Sequence, residues 1–201
     1  MTKNWPALRG RLIAIEGIDQ AGKETVSRRL AETLEAAGLR VERLAFPDYS
    51  TPLGQEIGRF LAGQVRHTAQ VRQLLYAANR WERCDLIQEC LTAGAVVLLD
   101  RYTGSGLAYG AAQGLAMSWM RGLEDGLPQP DLVLLLDIPP EVSLARKQTA
   151  RDTYESQAAL LQGAREAYLA LAHEESWEII DATGSPENVW AAAEEAIGRR
   201  L

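Results

Sequence analysis

The sequence runs to 201 residues at 22.1 kDa, room for one domain with a small lid and hardly for two. It is 47% hydrophobic and 24% charged, ordinary globular proportions that exclude intrinsic disorder. A formal net charge of −6 argues against a sequence-independent nucleic-acid binder, and no apolar run approaches the roughly 20 residues of a membrane span.

The opening stretch MTKNWPALRG lacks the apolar segment of a secretory signal. Cys84 and Cys90 are spaced for neither zinc nor a redox pair, which suits reduced, packed cysteines in a cytoplasmic protein. Strands are expected at Leu12–Glu16, Val41–Phe46, Ala95–Asp100, Leu132–Ile138 and Glu178–Asp181. The third and fourth are almost continuously apolar, as central parallel strands covered on both faces are. After the first strand, Val26, Leu30, Leu34 and Ala37 recur at helical spacing until Gly38 supplies a stop. Thr51-Pro52 and Ser185-Pro186 each place a cap residue before a proline at a helix start. A long helix from about Ala69 to Ala93 is ended by Gly94. With no repeat or linker, the alternation predicts a single α/β domain: a doubly wound, five-stranded parallel sheet with helices on both faces.

Between the first strand and its helix lies Gly17-Ile18-Asp19-Gln20-Ala21-Gly22-Lys23, a G-x-x-x-x-G-K phosphate loop in the context its mechanism requires. The glycines let backbone N–H groups converge on an anion, and the following helix aims its positive end there. Of the 21 basic residues 18 are arginine, so the isolated Lys23 stands out. A glycine-rich turn with a merely solvated lysine is the competing reading. The next position, usually Ser or Thr with its hydroxyl on Mg²⁺, is Glu24, and Thr25 follows. The third strand ends in Asp100-Arg101-Tyr102, at the carboxyl edge where open α/β sheets bind ligands. There an aspartate can reach a metal and an arginine a second phosphate; a surface ion pair is the alternative. His67 and His173 lie in polar surroundings and read as solvated. No Ser/His/Asp or Cys/His constellation is visible, so no base stands ready for an alcohol. A phosphate monoester is already anionic near neutral pH and needs only charge neutralisation and alignment. The pattern suggests phosphate-to-phosphate transfer.

EGIDQAGK (16–23), FPDYSTPLG (46–54), LLYAANRWE (74–82), LDRYTGSGLAYGAA (99–112), GLPQPDLVLLLD (126–137) and RDTYE (151–155), in that order, resemble the thymidylate (dTMP) kinase family. The resemblance implies a P-loop kinase with a short lid, here at about 146–155, usually a homodimer, that moves the γ-phosphoryl of ATP to dTMP with Mg²⁺. It implies that ATP is held by Gly17, Ile18, Asp19, Gln20, Ala21, Gly22, Lys23, Glu24, Thr25 and Arg146. Lys23, Asp100, Arg101 and the lid residue Arg151 would be catalytic, with Asp100 on the metal. For dTMP it implies Asp19 at the sugar 3′-hydroxyl, Tyr76 stacked on thymine, Arg80 at the base and Arg101 on the phosphate. Phe46, Ser105, Gly106 and Tyr154 would line that pocket, with Tyr109 closing the space of a ribose 2′-hydroxyl. Asp48-Tyr49 stands where many members carry a phosphate-binding arginine. Two readings stay open beside this one: another deoxynucleoside or nucleoside-monophosphate kinase, and a nucleotide-binding regulatory module. A deoxynucleoside kinase would need a carboxylate base, for which Asp48 is the one candidate. A nucleotide-binding regulatory module would have no transfer activity.

Overall fold

The computed structural model describes residues 9–147 and 154–200, and of residues 154–156 the backbone only. Five strands, β1 (Leu12–Glu16), β2 (Val41–Ala45), β3 (Val96–Asp100), β4 (Leu132–Asp137) and β5 (Glu178–Asp181), form one parallel sheet in the order β2-β3-β1-β4-β5. The order reverses at β1, so a crevice opens at its carboxyl end between β3 and β4.

Strand alternation divides the interior. Ile13 and Ile15 of β1, with Val96 and Leu98 of β3, enter one core. Leu12 and Ala14, with Val97 and Leu99, enter the other. The larger core joins the sheet to α1 (Lys23–Ala36), α8 (Tyr154–Glu174) and α9 (Pro186–Arg200); the smaller joins it to α4 (Cys84–Thr92), whose two cysteines are free and buried. Each fully buried Leu or Ile contributes about 1.5–3 kcal/mol of transfer free energy.

The helix starts follow the cap chemistry of the sequence. In α2 (Pro52–Leu61), Thr51 accepts from Gly54 N at 3.0 Å with Pro52 in the first turn. Ser185 accepts from Asn188 N at 3.3 Å ahead of α9. Three further helices are α5 (Thr103–Ala112), α6 (Met117–Glu124) and α7 (Pro140–Lys147).

The helix expected from Ala69 to Ala93 is two helices, α3 (Ala69–Trp81) and α4. The break is at Arg83, whose φ of −110° and ψ of 2° leave the helical region while its guanidinium donates to Asp48 Oδ2 at 2.6 Å. Buried positions 77, 80, 84 and 87 keep helical spacing across the break, so periodicity alone cannot register it. His67 also differs from expectation: it is partly buried, with Nε2 3.1 Å from Glu56 Oε1 and its ring beside Phe60. The expected strands are one residue longer than the observed β2, β3 and β4.

Candidate active site

The loop between β1 and α1 carries its strain at three residues. Gly17 has φ +141° and packs so closely on the Leu136 carbonyl of β4 that no side chain fits. Gln20 (φ +60°) and Gly22 (φ +96°) complete the curl. Lys23 is buried and donates from Nζ to Ile18 O at 2.8 Å, closing the loop on itself. Burial, with the Arg101 charge second, lowers its pKa to about 7, against the opposing pull of Asp100, Asp19 and Glu16. Glu24 turns outward: its side chain is 66% exposed and lies 3.6 Å from Arg43 and 3.9 Å from Arg28.

At the end of β3, Asp100 faces Lys23. Burial raises its pKa, with Lys23 and Arg101 opposing, and among the described residues its carboxylate has no hydrogen-bond donor. Arg101 adopts a left-handed φ of +66°, sparsely populated for a residue with a side chain. That backbone sends the guanidinium across to the phosphate loop, where Nη2 donates to Asp19 Oδ1 at 2.6 Å and Nη1 to Gly17 O at 3.1 Å. Asp19, Lys23, Glu24, Thr25, Asp100 and Arg101 line an open cavity of about 360 Å³. At its rim, Arg146 of α7 donates to Gln20 O and to Ala182 O, both at 3.0 Å.

The residues expected around the acceptor divide. Ser105 and Tyr109 stand beside Arg101: Nη1 reaches Ser105 Oγ at 3.2 Å, and the Tyr109 ring lies 5.6 Å from the guanidinium. Tyr109 also donates to Asp19 Oδ1 at 3.3 Å, and burial pushes its pKa to about 12. Tyr76 is half-buried within electrostatic reach of Arg101 and Asp19. Phe46 instead packs in the core, its ring 5.9 Å from that of Tyr102. Arg80 is drawn inward, its Nε donating to Glu124 Oε2 at 2.9 Å and its Nη2 to Glu124 Oε1. Gly106 makes room for that pair, since a Cβ there would sit 2.7 Å from Arg80 Nη2. Arg151 lies outside the described residues, as does most of the expected lid, and Tyr154 is described only as the first residue of α8.

Four residues of this site carried no assignment from sequence. Asn79 accepts from Asp48 N at 2.8 Å and donates to Thr51 Oγ1 at 2.7 Å, fixing the loop after β2. Glu124, Glu16 and Tyr168 are the others. Glu16, a polar residue closing an apolar strand, offered a signal. Glu124 and Tyr168 act 44 and 152 residues from their partners, beyond any local pattern.

A strand, a G-x-x-x-x-G-K loop curled round a buried lysine, and an aspartate–arginine pair on the neighbouring strand define a P-loop nucleotide kinase. The thymidylate kinase family model matches residues 15–193. The human thymidylate kinase is 39% identical over 190 residues, covering 91% of this chain and 87% of its own. That of Schizosaccharomyces pombe is 41% identical over 147 residues, covering 73% and 70%. The solved thymidylate kinase of Candida albicans superposes with a TM-score of 0.82 at 30% identity, over 95% of this chain and 92% of that one. This chain belongs to the thymidylate kinase family.

Proposed function

We propose that the cavity divides the family's reaction between two cationic side chains, with the ATP phosphates on Lys23 and the acceptor phosphate on Arg101. The chain is a dTMP kinase, transferring the γ-phosphoryl of ATP to dTMP to give dTDP and ADP. The observation that carries the assignment is Arg101 itself, held in a strained backbone conformation with its guanidinium aimed at the phosphate loop. Two anionic reactants repel one another; fixed positive charge on both sides removes that repulsion and aligns them, which is the main demand of phosphoryl transfer. The monophosphate needs no strong base.

The family's reaction uses a divalent ion, which we assign as Mg²⁺. The donor set suits it: among the described residues no hydrogen-bond donor engages the Asp100 carboxylate beside the lysine, and such ions take one or two carboxylates plus substrate phosphates. When bound, the ion neutralises charge on the phosphate oxygens. Glu24 engages Arg43 and Arg28 instead, so Asp100 is the protein's anchor for it.

On the donor side we assign Gly17 to Thr25 and Arg146 to ATP. The lid is assigned to about 146–155, with Arg151 supplying charge to the transferred group. On the acceptor side we assign Asp19, Tyr76, Arg80, Ser105, Gly106, Tyr109 and Tyr154; Phe46 supports that pocket from the core. The chain works as one domain, in the cytoplasm; no helix among the described residues is long and apolar enough to cross a membrane. A homodimer is supported by α3, where exposed Val71, Leu74 and Trp81 fall on one helical face with Ala78. A coupled ADP-release assay over nucleosides and nucleoside monophosphates tests the assignment. Transfer to dTMP well above other acceptors supports it, and ATP binding without transfer favours a regulatory module.

A further inference from the structure

Glu16 ends β1 immediately before the phosphate loop, and its carboxylate is buried at 1% exposure. It takes no part in the roles assigned above. Oε1 accepts from Tyr102 N at 2.8 Å and Ser105 N at 3.1 Å. Oε2 accepts from Ser105 Oγ at 2.6 Å and from the Tyr168 hydroxyl at 3.1 Å. The two N–H groups belong to the start of α5, a helix whose own N-cap residue, Tyr102, provides no capping side chain. Glu16 is thus a cap supplied from another strand, an anion at a helix N-terminus. Gly104 allows the approach, since a Cβ there would lie 2.9 Å from Glu16 Oε1.

The helix start it fixes is the one that follows Arg101. Ser105 has one hydroxyl proton and two lone pairs. The proton goes to Glu16, which leaves the oxygen's two lone pairs for Arg101 Nη1 at 3.2 Å and the Tyr168 hydroxyl at 2.8 Å. Arg101 also donates to Gly17 O and Asp19; of these three hydrogen-bond acceptors Ser105 is the one on α5, beside the Tyr109 ring of the same helix.

We infer that Glu16 is a positioning residue for the acceptor phosphate, holding the Ser105 hydroxyl so that its oxygen seats the Arg101 guanidinium. This rests on the assignment of Arg101 to that phosphate. Glu16→Gln is the discriminating change. Backbone N–H groups cannot reverse their role, so the amide oxygen keeps the α5 cap. The amide nitrogen then turns a donor on Ser105 and Tyr168, leaving one buried proton without an acceptor beside Arg101.

The test is titration calorimetry of dTMP and, separately, of Mg·ATP with Glu16→Gln, Ser105→Ala, the double variant and Arg101→Ala, each checked for folding by thermal unfolding. Glu16→Gln and Ser105→Ala should each weaken dTMP about tenfold, the scale of one lost hydrogen bond to a charged group. ATP affinity should stay within about twofold, and the double variant should be no weaker for dTMP than Glu16→Gln by more than about twofold. Unchanged dTMP affinity in folded Glu16→Gln, equal weakening of both nucleotides, or effects that multiply in the double variant would overturn the inference. Should Glu16→Gln not fold, Ser105→Ala alone carries the test, and unchanged dTMP affinity there overturns it. If Arg101→Ala leaves dTMP affinity unchanged, the assignment of Arg101 fails and the inference with it. If Arg101→Ala weakens dTMP and Glu16→Gln does not, only the inference fails.

Discussion

Tyr109 and Arg101 meet at Asp19: both donate to its Oδ1, the arginine at 2.6 Å and the phenol at 3.3 Å. The tyrosine ring therefore borders the arginine assigned to the acceptor phosphate, where steric exclusion of a ribose 2′-hydroxyl would act. Replacing it with alanine should relax discrimination by roughly 10–200-fold, the range of a single packing contact. The readout is the ratio of kcat/KM for dTMP and ribothymidine monophosphate. Tyr109→Phe, which keeps the ring and loses the hydroxyl, should leave that ratio nearly unchanged. An unaltered ratio in Tyr109→Ala would make the tyrosine a packing residue only.

Lys23 gives the nucleotide-free protein a distinctive pH dependence. Its folded pKa is about 7 against an ordinary 10.5, so between these values the unfolded chain binds more protons. Stability from this residue therefore rises with pH across that window and is lost as pH falls towards 7. Unfolding free energies of wild type and Lys23→Met, measured from pH 7 to 10, should diverge in that sense. Parallel curves would contradict it. Polyphosphate favours the charged form, so ATP binding at pH 8 should take up protons, seen as a buffer-dependent binding enthalpy.

Glu24 and Asp100 should behave oppositely. Glu24 points to Arg43 and Arg28 in solvent, so Glu24→Ser should be tolerated or should tighten Mg·ATP binding. Asp100→Asn removes the carboxylate assigned to the metal and should cripple Mg²⁺-dependent transfer. Activity against free Mg²⁺ at fixed ATP separates them. Loss of transfer in Glu24→Ser, with an unaltered Mg²⁺ dependence in Asp100→Asn, would exchange their roles.

Arg80 and Glu124 form a buried pair, their side chains 3% and 9% exposed. Glu124→Ala strands a guanidinium in the interior and should cost about 3–5 kcal/mol in denaturant unfolding. Arg80→Met with Glu124→Leu, which removes both charges at similar volume, should cost less than Glu124→Ala alone. A loss below about 1 kcal/mol in Glu124→Ala would show the pair to be solvated.

This pair also marks how far the sequence could be read. The sheet was legible because β1, β3 and β4 are apolar runs bounded by polar turns, and the phosphate loop because glycine spacing is local. Arg80 was legible as part of a helix motif, but its partner lies 44 residues away on α6. The same holds for Tyr168, brought to Glu16 by the packing of α8 against α5. Phe46 followed a pocket motif in sequence, yet a buried aromatic at a strand end goes to the core. The break at Arg83 was hidden because the residues before and after it stay in phase, and the partner its guanidinium meets there, Asp48, is distant in sequence.

The central claim is that Lys23 and Arg101 serve different phosphates. It is tested most directly by steady-state kinetics of Lys23→Ala and Arg101→Ala, with KM measured for both substrates. Each should lower turnover at least about a hundredfold, the usual cost of losing a transition-state charge contact. Lys23→Ala should raise KM for ATP and leave that for dTMP nearly unchanged, whereas Arg101→Ala should raise KM for dTMP. Wild-type turnover and wild-type KM for dTMP in Arg101→Ala would contradict the account.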